Sequence, residues 1–260
     1  MTVNDWGFGN VEAELFKLIF LMARCGAALL AAPIFGAISV PLQLRLVLTG
    51  SMAVFVMFWV PVVTPAALLS VGGLLALAGE VVLGFALGLV LQIAFAAPVL
   101  AAEVIAGSMG IAMATAVDPG SGSQSGVLGQ YFNLVLTLIF LGLGGHLLWL
   151  RLVIESYRAL PPGGAALGDG ALLRIVGFAG EMLATAAAIA LPVALALLLV
   201  QIVTGALSRS APALNLFALG LPAGVMAGLV ALIAATPLLH DQLVTLSVTM
   251  IEQTGSMLQQ

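Results

Sequence analysis

The sequence predicts an all-α, polytopic membrane protein of about six long, kinked helices or helical hairpins, not all of them crossing the bilayer as simple rods. Three observations carry this. First, 62% of the 260 residues are hydrophobic and 7% are charged, against about 45–50% and about 25% in an ordinary soluble domain. So little polar surface cannot coat a soluble fold of this length, and lipid must cover much of it. Second, the apolar residues fall into stretches long enough to span, since a spanning helix needs about 20. Third, those stretches are rich in Ala and Leu and show no alternation, which excludes strands.

The apolar stretches are 15–38, 46–63, 66–101, 127–150, 172–208 and 213–239, separated by short breaks rich in Pro, Gly, Ser and charge. No break is long enough for a soluble domain, so residues 1–260 read as one helical membrane domain. The N-terminus is acidic and lacks the basic region of a cleaved signal peptide. Residues 15–40 therefore read as a retained membrane segment, with Trp6 and Phe8 as interfacial anchors before it. Stretch 66–101 would form a helix about 54 Å long, against a hydrocarbon core of about 30 Å. Stretch 172–208 is as long. Each must fold back or project beyond the bilayer, with kinks expected at Pro98 and Pro192. Residues 103–117 are too apolar for a solvated loop and too short to span, so they read as re-entrant or buried in a partner. With six crossings and the N-terminus outside, Arg45 and Arg209 fall inside but Arg151, Arg158 and Arg174 fall outside. The positive-inside tendency is thus only half obeyed.

The net charge of -4 excludes a basic nucleic-acid footprint. Cys25, alone of its kind, can make no intrachain disulfide and reads as a small core residue. No motif of a serine hydrolase, zinc peptidase or nucleotide-binding loop is present, and the sequence calls for no catalytic residue, metal or cofactor. His146 reads as a structural donor beside Trp149. Arg24, Glu80, Glu103 and Glu181, with Gln92 and Gln201, lie in or beside apolar runs. Charges there face protein or water, because the bilayer centre costs about 2.5–3.5 kcal/mol even on a lenient scale. Two readings stand side by side: a polar pathway or subunit contact, and an internal ion pair in which Arg24 meets one of the glutamates. Gly84 and Gly88, and Gly220, Gly224 and Gly228, are spaced to put small residues on one helix face and allow close packing. The polar run 118–126, DPGSGSQSG, is by spacing a connecting loop; a flexible element at a pore or partner surface is the other reading.

The order of these residues resembles the flagellar FliR family of type III secretion export-gate proteins, with its virulence-system relatives. Arg24 is followed by APIFG at 32–36, Val40-Pro41 and Arg45. GEVVLGFALG carries Glu80, Gly84 and Gly88. AAEVIAGSMGIAMATAVDPGSG runs over 101–122, GGHLLWL over 144–150, and GALSRSAPALNLFALGLP over 205–222. The heavy use of Ala and Gly departs from the family pattern. The resemblance implies a non-enzymatic subunit of a closed export pore in the bacterial inner membrane, at the flagellar basal body. It implies FliP-like, FliQ-like and FlhB-like partners, contact with lipid, and unfolded proteins in transit. It implies hairpins that do not span the bilayer in the assembled complex. It implies a pore plug at Gly107, Met109, Gly110, Met113, Asp118, Pro119, Gly120 and Gly122. Arg24, Arg45, Glu80, Glu103 and Arg209 are then candidate subunit-contact or buried charges. A small-molecule permease or channel is the alternative. It should show an internal repeat, and 66–101 and 172–208 share little beyond one Glu and one Gln each.

Overall fold

A computed structural model of the chain describes residues 11–60, 70–111, 126–163, 169–210 and 216–258. Among these, seven helices follow in order. They are α1 (Val11–Ala31), α2 (Leu42–Trp59), α3 (Val71–Met109), α4 (Val127–Gly142), α5 (Gly145–Ala159), α6 (Asp169–Ser210) and α7 (Leu216–Ser256). No strand occurs among the described residues. Four helices are long and apolar enough to cross a membrane, or five if α4 and α5 count as one broken span.

Several boundaries differ from the sequence expectation. Of the two courses expected for stretch 66–101, folding back is not taken from Val71 on: α3 is one helix of 39 residues, running through Pro98, and residues 66–69 lie outside the described residues. Residues 103–109 continue it; of the remainder of 103–117, residues 112–117 lie outside the described residues. Stretch 172–208 likewise belongs to a single helix of 42 residues through Pro192. Stretch 127–150 is not one rod. It breaks after Gly142, where Leu143 caps the helix with right-handed backbone angles and Gly144 takes the left-handed φ of 71°. Only a residue without a Cβ holds that conformation at little cost. The last apolar stretch extends well past 239, and α7 runs through both Pro222 and Pro237 to Ser256.

Hydroxyl groups in the apolar helices are satisfied locally. Ser51, Ser108, Thr137, Thr236 and Ser247 each donate to a carbonyl three or four residues earlier, at 2.7–3.0 Å. A hydroxyl so placed can enter an apolar environment without stranding its proton.

The described contacts gather into two compact units. The first comprises Met1–Ile93, Gly144–Phe178 and Thr249–Gln260; the second comprises Ala94–Leu143 and Ala179–Val248. In the first, α1 lies against α3 at very close range. A Cβ on Gly84 would collide with the carbonyl oxygen of Arg24, and one on Gly88 would stand 2.5 Å from Ala31 Cβ and 2.6 Å from Ala28 O. These two glycines are the reason the helix backbones can touch. Residue 36 is bounded in the same way: a Cβ there would strike the Leu30 carbonyl. Helix α1 ends at Ala31, two residues before Pro33, and the chain turns back across its end at Gly36. The α7 tail joins this unit too, with Met250, Thr254 and Met257 buried. Cys25 is fully buried, as a core residue would be.

Replacing Gly88 by Val should destabilise the detergent-solubilised protein by about 1–3 kcal/mol, the usual cost of overpacking. A Cβ on Gly50 in α2 meets nothing within 4 Å, so Gly50→Ala should stabilise by about 0.5–1 kcal/mol. Thermal unfolding of the two variants beside the parent protein checks both signs.

Candidate functional site

Two polar centres stand out, one in each unit. The first is built on Arg24, which is completely buried. Its Nε donates to Glu80 Oε2 at 2.7 Å, its Nη1 to Ser156 Oγ at 3.1 Å and its Nη2 to the Leu160 carbonyl at 3.0 Å. The guanidinium also lies 4.2 Å from the Tyr157 ring centroid, within cation–π range. Glu80, 1% exposed, uses its other oxygen to accept from Gly163 N at 3.3 Å. Ser156 Oγ donates to Val153 O at 2.6 Å. The Tyr157 hydroxyl donates to Leu21 O at 2.6 Å, leaving the Cys25 thiol to donate to the phenol oxygen at 3.3 Å. Both charges are therefore compensated from all sides, as buried charges must be.

Helical spacing explains the assembly. Glu80, Gly84 and Gly88 lie four residues apart on one face of α3, so the glycines that admit α1 also bring Arg24 to Glu80. Ser156 and Tyr157 come from the last turn of α5, with Leu160 and Gly163 just beyond it. Trp149, one turn from the start of α5, donates to Leu87 O at 3.3 Å and stacks on Phe35 with ring centroids 5.8 Å apart. Sequence reasoning had Arg24 and Glu80 but not Tyr157, because an aromatic hydroxyl in an apolar stretch carries no pairing signal of its own. His146 does not act as the donor its setting suggested: it makes no hydrogen bond among the described residues, and its Nδ1 is buried.

The second centre surrounds the end of α3. Gly110 stops that helix with a left-handed φ of 81° and a bond from its N to Gly107 O at 3.1 Å, a common helix C-terminal geometry. Met109 is 3% exposed. Its side chain fills a notch on α7: a Cβ on Gly228 would fall 2.5–2.8 Å from its Cγ, Cε and Sδ. A Cβ on Gly224 would stand 2.9 Å from the Met109 carbonyl. Gly220 has nothing within 4 Å and takes no part in this contact. Gln201 Nε2 donates to Ser108 O at 2.8 Å, and Glu103 Oε1 accepts from Gly126 N at 3.0 Å. Both ends of the 110–126 segment are thus held. Met113, Asp118, Pro119, Gly120 and Gly122 lie outside the described residues. Beside this anchor is an apolar cavity of about 530 Å³ whose lining includes Met109, Ile111, Val127, Phe132, Leu229 and His240.

The remaining expected charges are placed separately. Arg45, half-buried, donates from Nη2 to the carbonyls of Gly36 (3.3 Å) and Ala37, while its Nε has no partner. Arg209 is exposed in the last turn of α6, where a cation complements the helix dipole. Glu181 and Gln92 are exposed as well. Among the described residues no His, Cys, Asp or Glu cluster could hold a metal ion.

Long apolar helices, a fully compensated buried ion pair and broad uncovered apolar faces define a polytopic, all-helical membrane protein. The chain belongs to the bacterial export proteins, family 1, whose pattern it matches over residues 15–250. It is 30% identical to the flagellar biosynthetic protein FliR of Pectobacterium carotovorum subsp. carotovorum over 239 residues, 92% of this chain and 90% of that one. Against the flagellar biosynthetic protein FliR of Escherichia coli K12 the identity is 32% over 221 residues, 84% and 83% of the two chains. The secretion system apparatus protein SsaT of Salmonella typhimurium is 30% identical over 168 residues, 64% of this chain and 65% of its own.

Arg24→Ala leaves Glu80 charged and unpaired in the core, and should cost about 3–5 kcal/mol of stability. The double variant Arg24→Met/Glu80→Leu should recover most of that loss. Unfolding curves of the purified variants, together with their recovery from membranes, measure the difference.

Proposed function

We propose that this chain is a subunit of the type III secretion export gate, working in flagellar export at the inner membrane. It packs with FliP-like and FliQ-like subunits, with an FlhB-like protein attached, around a closed pore through which unfolded proteins leave the cell. Its part is structural and not enzymatic. The observation that carries this reading is the uncovered apolar surface. In the most apolar window of the Pro222–Ser256 span 11% of residues are buried inside the chain, and in that of Leu172–Leu207 28%. Helices with one face in their own core and the rest uncovered fit an assembly in which other subunits and lipid together supply the missing faces. Membership in the export family favours this over a small-molecule permease.

Within that assembly, the segment after Gly110 acts as the plug. It leaves α3 at Met109, clamped on Gly228, and returns at Gly126, held by Glu103. Anchored ends with a glycine-rich middle suit an element that must yield to a passing chain and then return. Glu103, Arg45 and Arg209, which reach the surface more than Arg24 and Glu80 do, set register with neighbours.

Deleting residues 110–122 should make membranes containing the assembled apparatus leak ions, read as increased conductance; normal assembly with unchanged conductance would discard the plug. Glu103→Ala and Arg209→Ala should each lower the FliP-like and FliQ-like protein recovered with the chain several-fold. Undiminished recovery would show that these charges act elsewhere.

A further inference from the structure

The apolar cavity of about 530 Å³ beside Met109 lies wholly within the second unit. One side is a stripe of α7 running from Val225 through Leu229, Leu232 and Thr236 to His240. These three- and four-residue steps keep the side chains on one helix face. Residues 127–135 of α4 supply the facing wall. Thr236 Oγ1 donates to Leu232 O of its own helix at 3.0 Å, so the middle of the stripe offers no free donor. Polarity returns at His240, whose Nδ1 lies 3.4 Å from Asp241 Oδ1, and both of these side chains are exposed. The helix that carries the stripe is open to its surroundings: in the most apolar window of Pro222–Ser256 11% of residues are buried.

From this we infer that the cavity holds one acyl chain of a zwitterionic phospholipid, with the headgroup at His240 and Asp241 and the tail running toward Val225 and Met109. Volume and length agree on that occupant. A methylene takes about as much room as a water molecule in the liquid, ~30 Å³, so the cavity accommodates about 18 carbons. From Val225 to His240 the helix rises about 22 Å, close to the extended length of such a chain. A helix is about 10–12 Å across, and the same length of it needs several times the space. Water finds too few polar partners to fill an apolar cavity, and an empty one forfeits the dispersion contacts of its lining. The polar end suits a headgroup carrying both charges: the Asp241 carboxylate faces an ammonium, and the His240 ring donates to a phosphate. The tail packs against Met109, so filling the cavity also supports the seating of Met109 in the Gly228 notch. The inference needs a membrane-embedded chain and does not depend on the export-gate reading.

The test uses the complete chain in proteoliposomes of phosphatidylethanolamine, a small fraction of it bearing a photoreactive diazirine near the end of one acyl chain. Crosslinks should favour the stripe of α7 and residues 127–135 over the other exposed faces of those helices by about tenfold. Native mass spectrometry of the chain released from detergent should find about one phospholipid retained. Leu229→Trp and Ile233→Trp, at exposed positions that line the cavity, fill it and should lower both signals about tenfold. Val230→Trp, exposed but outside the lining, should leave both unchanged. Even labelling around the two helices, retention of free fatty acid in place of phospholipid, or signals that survive both filling variants overturns the inference. Asp241→Lys should shift the retained lipid toward an anionic phospholipid; an unchanged ratio overturns the placing of the headgroup. Within the assembled apparatus, a photo-crosslinking amino acid at position 233 should capture phospholipid. Capture of protein there, whether this chain or another, overturns the inference as well.

Discussion

The contact between Arg24 and Glu80 is the constraint on which the first unit depends. Taking two charges out of water costs several kcal/mol each, and only a geometry that satisfies all their polar atoms offsets this. Here that geometry requires three separated parts of the chain at once: α1 for the cation, α3 for the anion, and α5 with the turn after it for Ser156, Leu160 and Gly163. A slip of α1 along α3 by one residue would break the ion pair and drive a side chain into the glycine notch. Apolar packing alone lacks this discrimination, because Ala and Leu faces fit one another in several registers. The ion pair and the glycines act as one device: Gly84 lets the backbones meet, and their meeting brings Arg24 within 2.7 Å of Glu80.

The second unit achieves close packing with a different pair of groups. The fit of Met109 to Gly228 joins an adaptable thioether to a gap the width of one missing side chain. Among the described residues it is flanked by two single hydrogen bonds, Gln201 to Ser108 and Glu103 to Gly126. The contrast is between a charge cluster compensated from three parts of the chain and two single hydrogen bonds.

The outward faces follow from the same economy of polar groups. Most hydroxyls are spent on their own helix, and the most buried charges are spent inside the chain. What is left outside is apolar, apart from isolated polar groups such as Gln92, Glu181 and Arg209. Sparse polar groups on broad apolar faces give an assembly its specificity, since each one penalises a neighbour that fails to meet it.

Much of this was legible in the chain itself. Apolar length gave the helices, because burying backbone in an apolar medium leaves the helix as the local way to satisfy every amide. The small-xxx-small spacing at Gly84 and Gly88 marked a close contact, and Arg24 in an apolar run demanded a buried partner. The sequence alone could not choose Glu80 over Glu103 or Glu181, since that choice depends on which helices are neighbours. Nor could it show that α3 and α6 run on through Pro98 and Pro192: a proline lost from one helical hydrogen bond can kink, break or be tolerated, and the surrounding packing decides. Gly144 gave no more warning than the chain's other glycines, yet it alone divides 127–150. Composition and periodicity thus determined that this protein is helical, apolar and dependent on its few charges. Tertiary structure determined which charge meets which, because a pairing across 56 residues is fixed by the fold and not by spacing.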